Sequence, residues 1–82
     1  MIAMHQDLDA PARKRTHNLA HDLVAKLTQS ILLGQMLPGD KLPSENTIVQ
    51  EHGVSRTVVR EAISKLQASG LVETRHGIGT FV

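Results

Sequence analysis

The sequence predicts a small α+β domain, mainly α, with three helices followed by a C-terminal two-stranded hairpin. Three observations carry that prediction. Apolar residues recur at helical spacing over residues 18–33 and again over 54–66. A short segment opened by Pro43-Ser44 and closed by Gly53 lies between them. Residues 71–82 read as two β-prone runs about the glycine-bearing tip His76-Gly77-Ile78-Gly79. At 82 residues the chain has room for one domain with a modest core.

Composition narrows the function. Phe81 is the only aromatic residue, so aliphatic side chains must build the interior, and an aromatic stacking surface for single-stranded nucleic acid is ruled out. The net charge is only +1, far from that of a nonspecific polyanion binder, so any nucleic-acid role must come from local charge placement. The absence of cysteine removes disulfides, thiolate catalysis and cysteine-based zinc sites. No apolar run approaches the roughly 20 residues of a membrane span, and Met1-Ile2-Ala3-Met4 is too short for a signal segment. These features predict a cytoplasmic domain.

Residues 1–16 lack periodicity and mix acids, a proline and the basic triplet Arg13-Lys14-Arg15, which reads as a flexible arm before a domain over 17–82. From about Asn18 a helix is expected, with Ala20, Leu23, Val24, Leu27 and Ile31 on one face and Leu19, Leu32 and Leu33 widening it. Gly34 is placed to end it in a left-handed conformation. His17 and His21 have metal-ligand spacing, with Asp22 adjacent, but lack a third ligand at fitting spacing and read as an exposed pair. Leu37-Pro38-Gly39-Asp40 reads as a turn, and Lys41-Leu42 adds a strand residue or two. Ser44 then caps a short second helix, with Glu45 favourable in its first turn and Ile48 and Val49 turned inward.

The third helix separates two faces. Val58, Val59, Ala62, Ile63 and Leu66 share one apolar arc, while Arg56 and Arg60 stack a turn apart on the other side with Thr57, Ser64 and Gln67. Ser55 is its N-cap. Two guanidiniums, two hydroxyls and the positive end of the helix dipole suit phosphates and guanine edges; an ordinary solvated face is the competing reading. Glu61 is read as a partner for Lys65, one turn on, and as a brace for a nearby arginine. A capped helix, a glycine turn and an amphipathic helix in succession are the sequence form of a helix-turn-helix, a pattern that any short helical hairpin shares. The hairpin after it reads as a wing whose tip carries Arg75 and His76, with a plain stabilising hairpin as the competing reading.

The segments Pro38-Gly39-Asp40-Lys41-Leu42-Pro43-Ser44-Glu45, Val54-Ser55-Arg56-Thr57-Val58-Val59-Arg60-Glu61-Ala62, Gly70-Leu71-Val72 and Gly77-Ile78-Gly79-Thr80-Phe81-Val82 together resemble the N-terminal winged-helix domain of the GntR family of bacterial transcription regulators. The resemblance covers residues 18–82 and implies a homodimer on a pseudo-palindromic double-stranded operator. It places the helix starting at Ser55 in the major groove. The expected interface comprises Arg56, Arg60 and Asn46 as base readers, Ser44, Ser55, Thr57 and Ser64 at phosphate or sugar, and Arg75, His76 and Gly77 in the wing. Two positions depart from the family pattern. Asn46 stands where an arginine is usual, and an asparagine that reaches a base favours adenine. Thr47 stands where glutamate is common, which loses the reciprocal half of a capping box with Ser44.

Family members join this domain to a larger C-terminal domain that binds a small metabolite and carries most of the dimer contact. The chain ends at Phe81-Val82, where that junction is expected, so effector binding is assigned to a domain outside it. The wording of wing and helix is most similar to the FadR-like subfamily. A protein–protein module of the same fold is the alternative function, opposed by the presence of Arg56, Arg60, Arg75 and His76. No nucleophile-and-base spacing or phosphate-cradling glycine loop indicates an enzyme, and no cofactor is expected.

Overall fold

The computed structural model describes residues 11–82, with side chains from Arg15 onward. Helix α1 spans Pro11–Leu32, α2 Glu45–His52 and α3 Arg56–Ala68; strands β1, Glu73–Arg75, and β2, Gly79–Phe81, form the hairpin. The first ten residues of the expected arm lie outside the described residues. Its remainder does not stay apart from the fold: residues 11–16 are helical, so α1 begins about seven residues before Asn18. Proline is preorganised for the first helical position, and Ala12, Arg13, Lys14 and Arg15 are strong helix formers. Apolar periodicity marks only where a helix meets the core, and α1 extends beyond it.

The core is aliphatic. Ala20, Leu23 and Leu27 of α1, Ile48 of α2 and Val58, Val59, Ala62 and Leu66 of α3 are buried together with Leu42 and Val72. The most extensive packing joins α1 to α3, which fixes the recognition helix against the longest element of the domain. Ile63, expected in the same stripe, is half-buried at its margin. Leu19, Leu32 and Leu33 do not widen the buried face of α1; they are 43%, 77% and 65% exposed. Leu19 lies a hundred degrees round from Ala20, and Leu32 and Leu33 lie at the helix end, where α1 runs into its terminal turn.

Each helix ends as its local sequence dictates. Gly34 at φ 77° follows α1, and Gln35 N–H closes back on the Ser30 carbonyl at 2.9 Å. Gly53 takes φ 63°, and its N–H donates to the Val49 carbonyl at 2.9 Å, reversing the chain between α2 and α3. After α3, Leu71 N–H reaches the Leu66 carbonyl at 3.0 Å and Val72 drops into the core. Both residues are thereby taken out of the expected five-residue strand, and β1 starts only at Glu73.

The hairpin pairs Glu73 with Phe81, Thr74 with Thr80 and Arg75 with Gly79, antiparallel. Its root is tied to the turn before α2. Lys41 bridges Phe81, Leu42 N–H donates to the Thr80 carbonyl at 2.8 Å, and Val82 N–H donates to the Asp40 carbonyl at 2.8 Å. The expected strand residue at Lys41 is therefore the strip that orients the wing beside the helix-turn-helix.

Candidate nucleic-acid interface

The two short helices are aimed by their caps. Ser44 Oγ accepts from Thr47 N–H and Ser55 Oγ accepts from Val58 N–H, both at 3.2 Å and both from an extended backbone. Such a cap contributes about 1 kcal/mol. Ser55 still has its O–H to donate to an anion. The Ser44 hydroxyl lies 2.9 Å from Thr47 Oγ1, so the residue standing where glutamate is common engages the cap through its own hydroxyl.

The three expected base readers stand together, joined by a residue that the sequence does not assign to the site. Arg56 Nη2 donates to Asn46 Oδ1. Glu45 sits between the arginines: its Oε1 lies 3.6 Å from Arg56 Nη1 and its Oε2 3.3 Å from Arg60 Nε. Glu45 and Arg60 are 15 residues apart, across the turn of the helix-turn-helix, so no spacing within one helix reveals their contact. The brace expected of Glu61 is supplied by Glu45. Glu61 instead faces α1, with His17 Nδ1 3.8 Å from its carboxylate. Among the described residues no cluster of His, Asp and Glu could hold a metal ion.

The engagement of Asn46 bears on what it can read. Adenine recognition needs both the carbonyl and the amino group of the side chain. Arg56 takes one of the two lone pairs of Oδ1, so the other lone pair and the amino group stay open to adenine, in an orientation that the arginine restrains.

Thr57 and Ser64 are exposed on the outer face of α3, and Ser64 lines a cleft between that helix and the wing. Thr74, Ile78, Gly79 and Thr80 form its wing side; at the hairpin tip Gly77 takes φ 73° and His76 is exposed. Arg75 closes β1 just before the tip and is 57% exposed. Its guanidinium lies 5.0 Å from the centroid of the Phe81 ring and 3.9 Å from Glu73 Oε2. A planar cation beside the one available aromatic face is stabilised there.

Residues 19–82 match the family model of bacterial regulatory proteins, gntR family. The chain belongs to the GntR family. It is 52% identical over 64 residues to the Exu regulon transcriptional regulator of Escherichia coli K12, covering 78% of this chain and 25% of that protein. It is 49% identical over 65 residues to the HTH-type regulator YieP of the same organism, covering 79% of this chain and 28% of that one. The chain thus spans about a quarter of the length of these curated relatives. Among solved structures, the DNA-binding domain of AraR in complex with operator ORR3 superposes with a TM-score of 0.75 at 38% identity, over 78% of this chain and 77% of that one. Streptococcus agalactiae GntR superposes with a TM-score of 0.69 at 30% identity, over 77% of this chain and 31% of that one. The winged helix-turn-helix read from the sequence is the observed fold, and residues 19–82 form the GntR-type DNA-binding domain.

Proposed function

We propose that this GntR domain binds a pseudo-palindromic DNA operator as one half of a homodimer, within a metabolite-responsive bacterial transcription regulator. The observation that carries the reading is the cluster of Arg56, Arg60 and Asn46, exposed on one side of a helix pair whose other side is buried. The N-terminal half of α3 enters the major groove, where the forked guanidiniums of Arg56 and Arg60 meet the paired acceptors of guanine. Ser44, Ser55, Thr57 and Ser64 hold the sugar–phosphate strands, and His76 and Gly77 with Arg75 approach the adjacent minor groove. The likeness in fold to the AraR DNA-binding domain, solved in complex with operator DNA, supports DNA as the partner. The domain performs no chemistry of its own, and a small-molecule effector acts through a C-terminal domain outside this chain. The protein works in the cytoplasm at the nucleoid; among the described residues no helix is long and apolar enough to cross a membrane. The wording of the wing and recognition helix supports a FadR-like assignment within the family.

Selection of binding sites from a random duplex pool tests the reading, run in parallel with the native chain and Asn46→Arg at one stated salt concentration. An enriched inverted repeat, with a base change between the two proteins at one position per half-site, is the expected result. If neither the chain nor a forced dimer of it enriches any sequence, the fold serves another partner.

A further inference from the structure

The cleft between α3 and the wing holds a cation that neither the arginine cluster nor the wing tip includes. Lys41, Ser44, Arg60, Ser64, Thr74 and Thr80 are among the residues that line it. Its position defines what it would face, given the docking proposed above. With α3 in the major groove and the wing tip at the adjacent minor groove, whatever lies between them faces the sugar–phosphate strand dividing the two grooves.

Lys41 is built into that place. Its backbone is paired with Phe81, and its aliphatic stem crosses the face of Gly79 at the wing root. A Cβ at Gly79 would come within 2.5 Å of Lys41 Cε and 3.4 Å of Nζ, so the lysine occupies the space that a side chain there would need. Gly79 also has φ 144°, a conformation side chains rarely adopt. Glu45 also lines the cleft, but its carboxylate is engaged by the two arginines. Arg56 and Arg60 share Glu45, and Arg75 faces Glu73, whereas no carboxylate of the described residues stands within ion-pair distance of Lys41. Beside it, Thr74 Oγ1 and Thr80 Oγ1 lie 3.1 Å apart and share one hydrogen, which leaves the other hydroxyl proton to donate. An ammonium without an acid, a free hydroxyl donor and the Ser64 hydroxyl on the opposite wall make a binding site for an anionic oxygen. An ammonium lacks the planar fork that base edges select, so the matching group is a phosphate.

We propose that Lys41, with Ser64 and the Thr74–Thr80 hydroxyl pair, binds a phosphate of the DNA strand that runs between recognition helix and wing. The proposal rests on the DNA-binding reading and adds to it a contact that acts on every sequence alike.

The test compares the native chain, Lys41→Gln and Lys41→Arg by anisotropy titration, over a series of salt concentrations, against a selection-enriched duplex and an unrelated one. Lys41→Gln is expected to weaken both duplexes by a similar factor, roughly fivefold. Its plot of log K against log salt should be shallower by about 0.9 for each chain bound, the release of one counterion per lysine lost. Lys41→Arg, which keeps the charge, is expected to restore the slope. An unchanged slope in Lys41→Gln, or a loss confined to the enriched duplex, overturns the proposal while leaving the DNA-binding reading intact. A native chain that binds no duplex at any salt overturns both.

Discussion

Replacing Glu45 with alanine separates the two roles that the structure gives this carboxylate. It sits one-third exposed between arginines that are 55% and 67% exposed, so each ion pair is a surface pair contributing roughly 0.2–1 kcal/mol to the fold. Glu45 also occupies the first turn of α2, where a carboxylate gains about 0.3–1 kcal/mol from the helix dipole. Alanine returns a little through its helix propensity, so the domain should lose about 1 kcal/mol of stability and remain folded. The effect on DNA is of a different kind. Fixing a long side chain on binding costs about 0.5–1.5 kcal/mol. Glu45 restrains two such side chains before DNA arrives, and without it that ordering falls on the specific complex. For an unrelated duplex the opposite holds, because the arginines lose an acid that opposes their attraction to phosphates. The ratio of specific to nonspecific affinity should therefore drop roughly tenfold, equivalent to about 1.4 kcal/mol. Titrations of the native chain and Glu45→Ala against an enriched and an unrelated duplex, at the same salt, read that ratio directly. A ratio that is unchanged or higher refutes the idea that the carboxylate positions the arginines for base reading.

Two further expectations follow from the same geometry. Arg60→Ala should cost about 1–3 kcal/mol on the enriched site and relax preference at one base position; equal weakening on all sequences would make Arg60 a phosphate contact instead. Val59→Asp places an unpaired charge at a position of zero exposure and should abolish the cooperative thermal transition, whereas Ile63→Asp, at the half-buried cleft margin, should leave a folded domain with a lowered midpoint. Equal behaviour of the two aspartate variants in circular-dichroism melts would show that the burial gradient across α3 is wrong.

Local chemistry wrote much of the domain into the sequence. Ser44 and Ser55 cap α2 and α3 as serines before helical runs do, and Gly53 turns the chain because a left-handed residue is needed there. The two faces of α3 follow from its period, and four of its five expected core residues are buried. The limits of that reading have local causes too. Periodicity located only the part of α1 that touches the core and missed the proline-led turn ahead of it. It also counted Leu19, Leu32 and Leu33 as inward because it cannot tell where a partner element ends.

The site shows the same division more sharply. That Arg56 and Arg60 share an exposed helix face is a consequence of residues four apart on one helix, and the sequence determines it alone. That Glu45 lies between them, that Asn46 is held by Arg56, and that Arg75 folds back over Phe81 are decided by how elements pack across turns. Lys41 is the extreme case: its place between recognition helix and wing depends on a backbone bridge to Phe81, forty residues away. Sequence spacing specifies which groups a helix presents, because the period is fixed by the backbone. Which groups meet across elements depends on tertiary packing, and that is where this domain's ion pairs and the place of Lys41 are set.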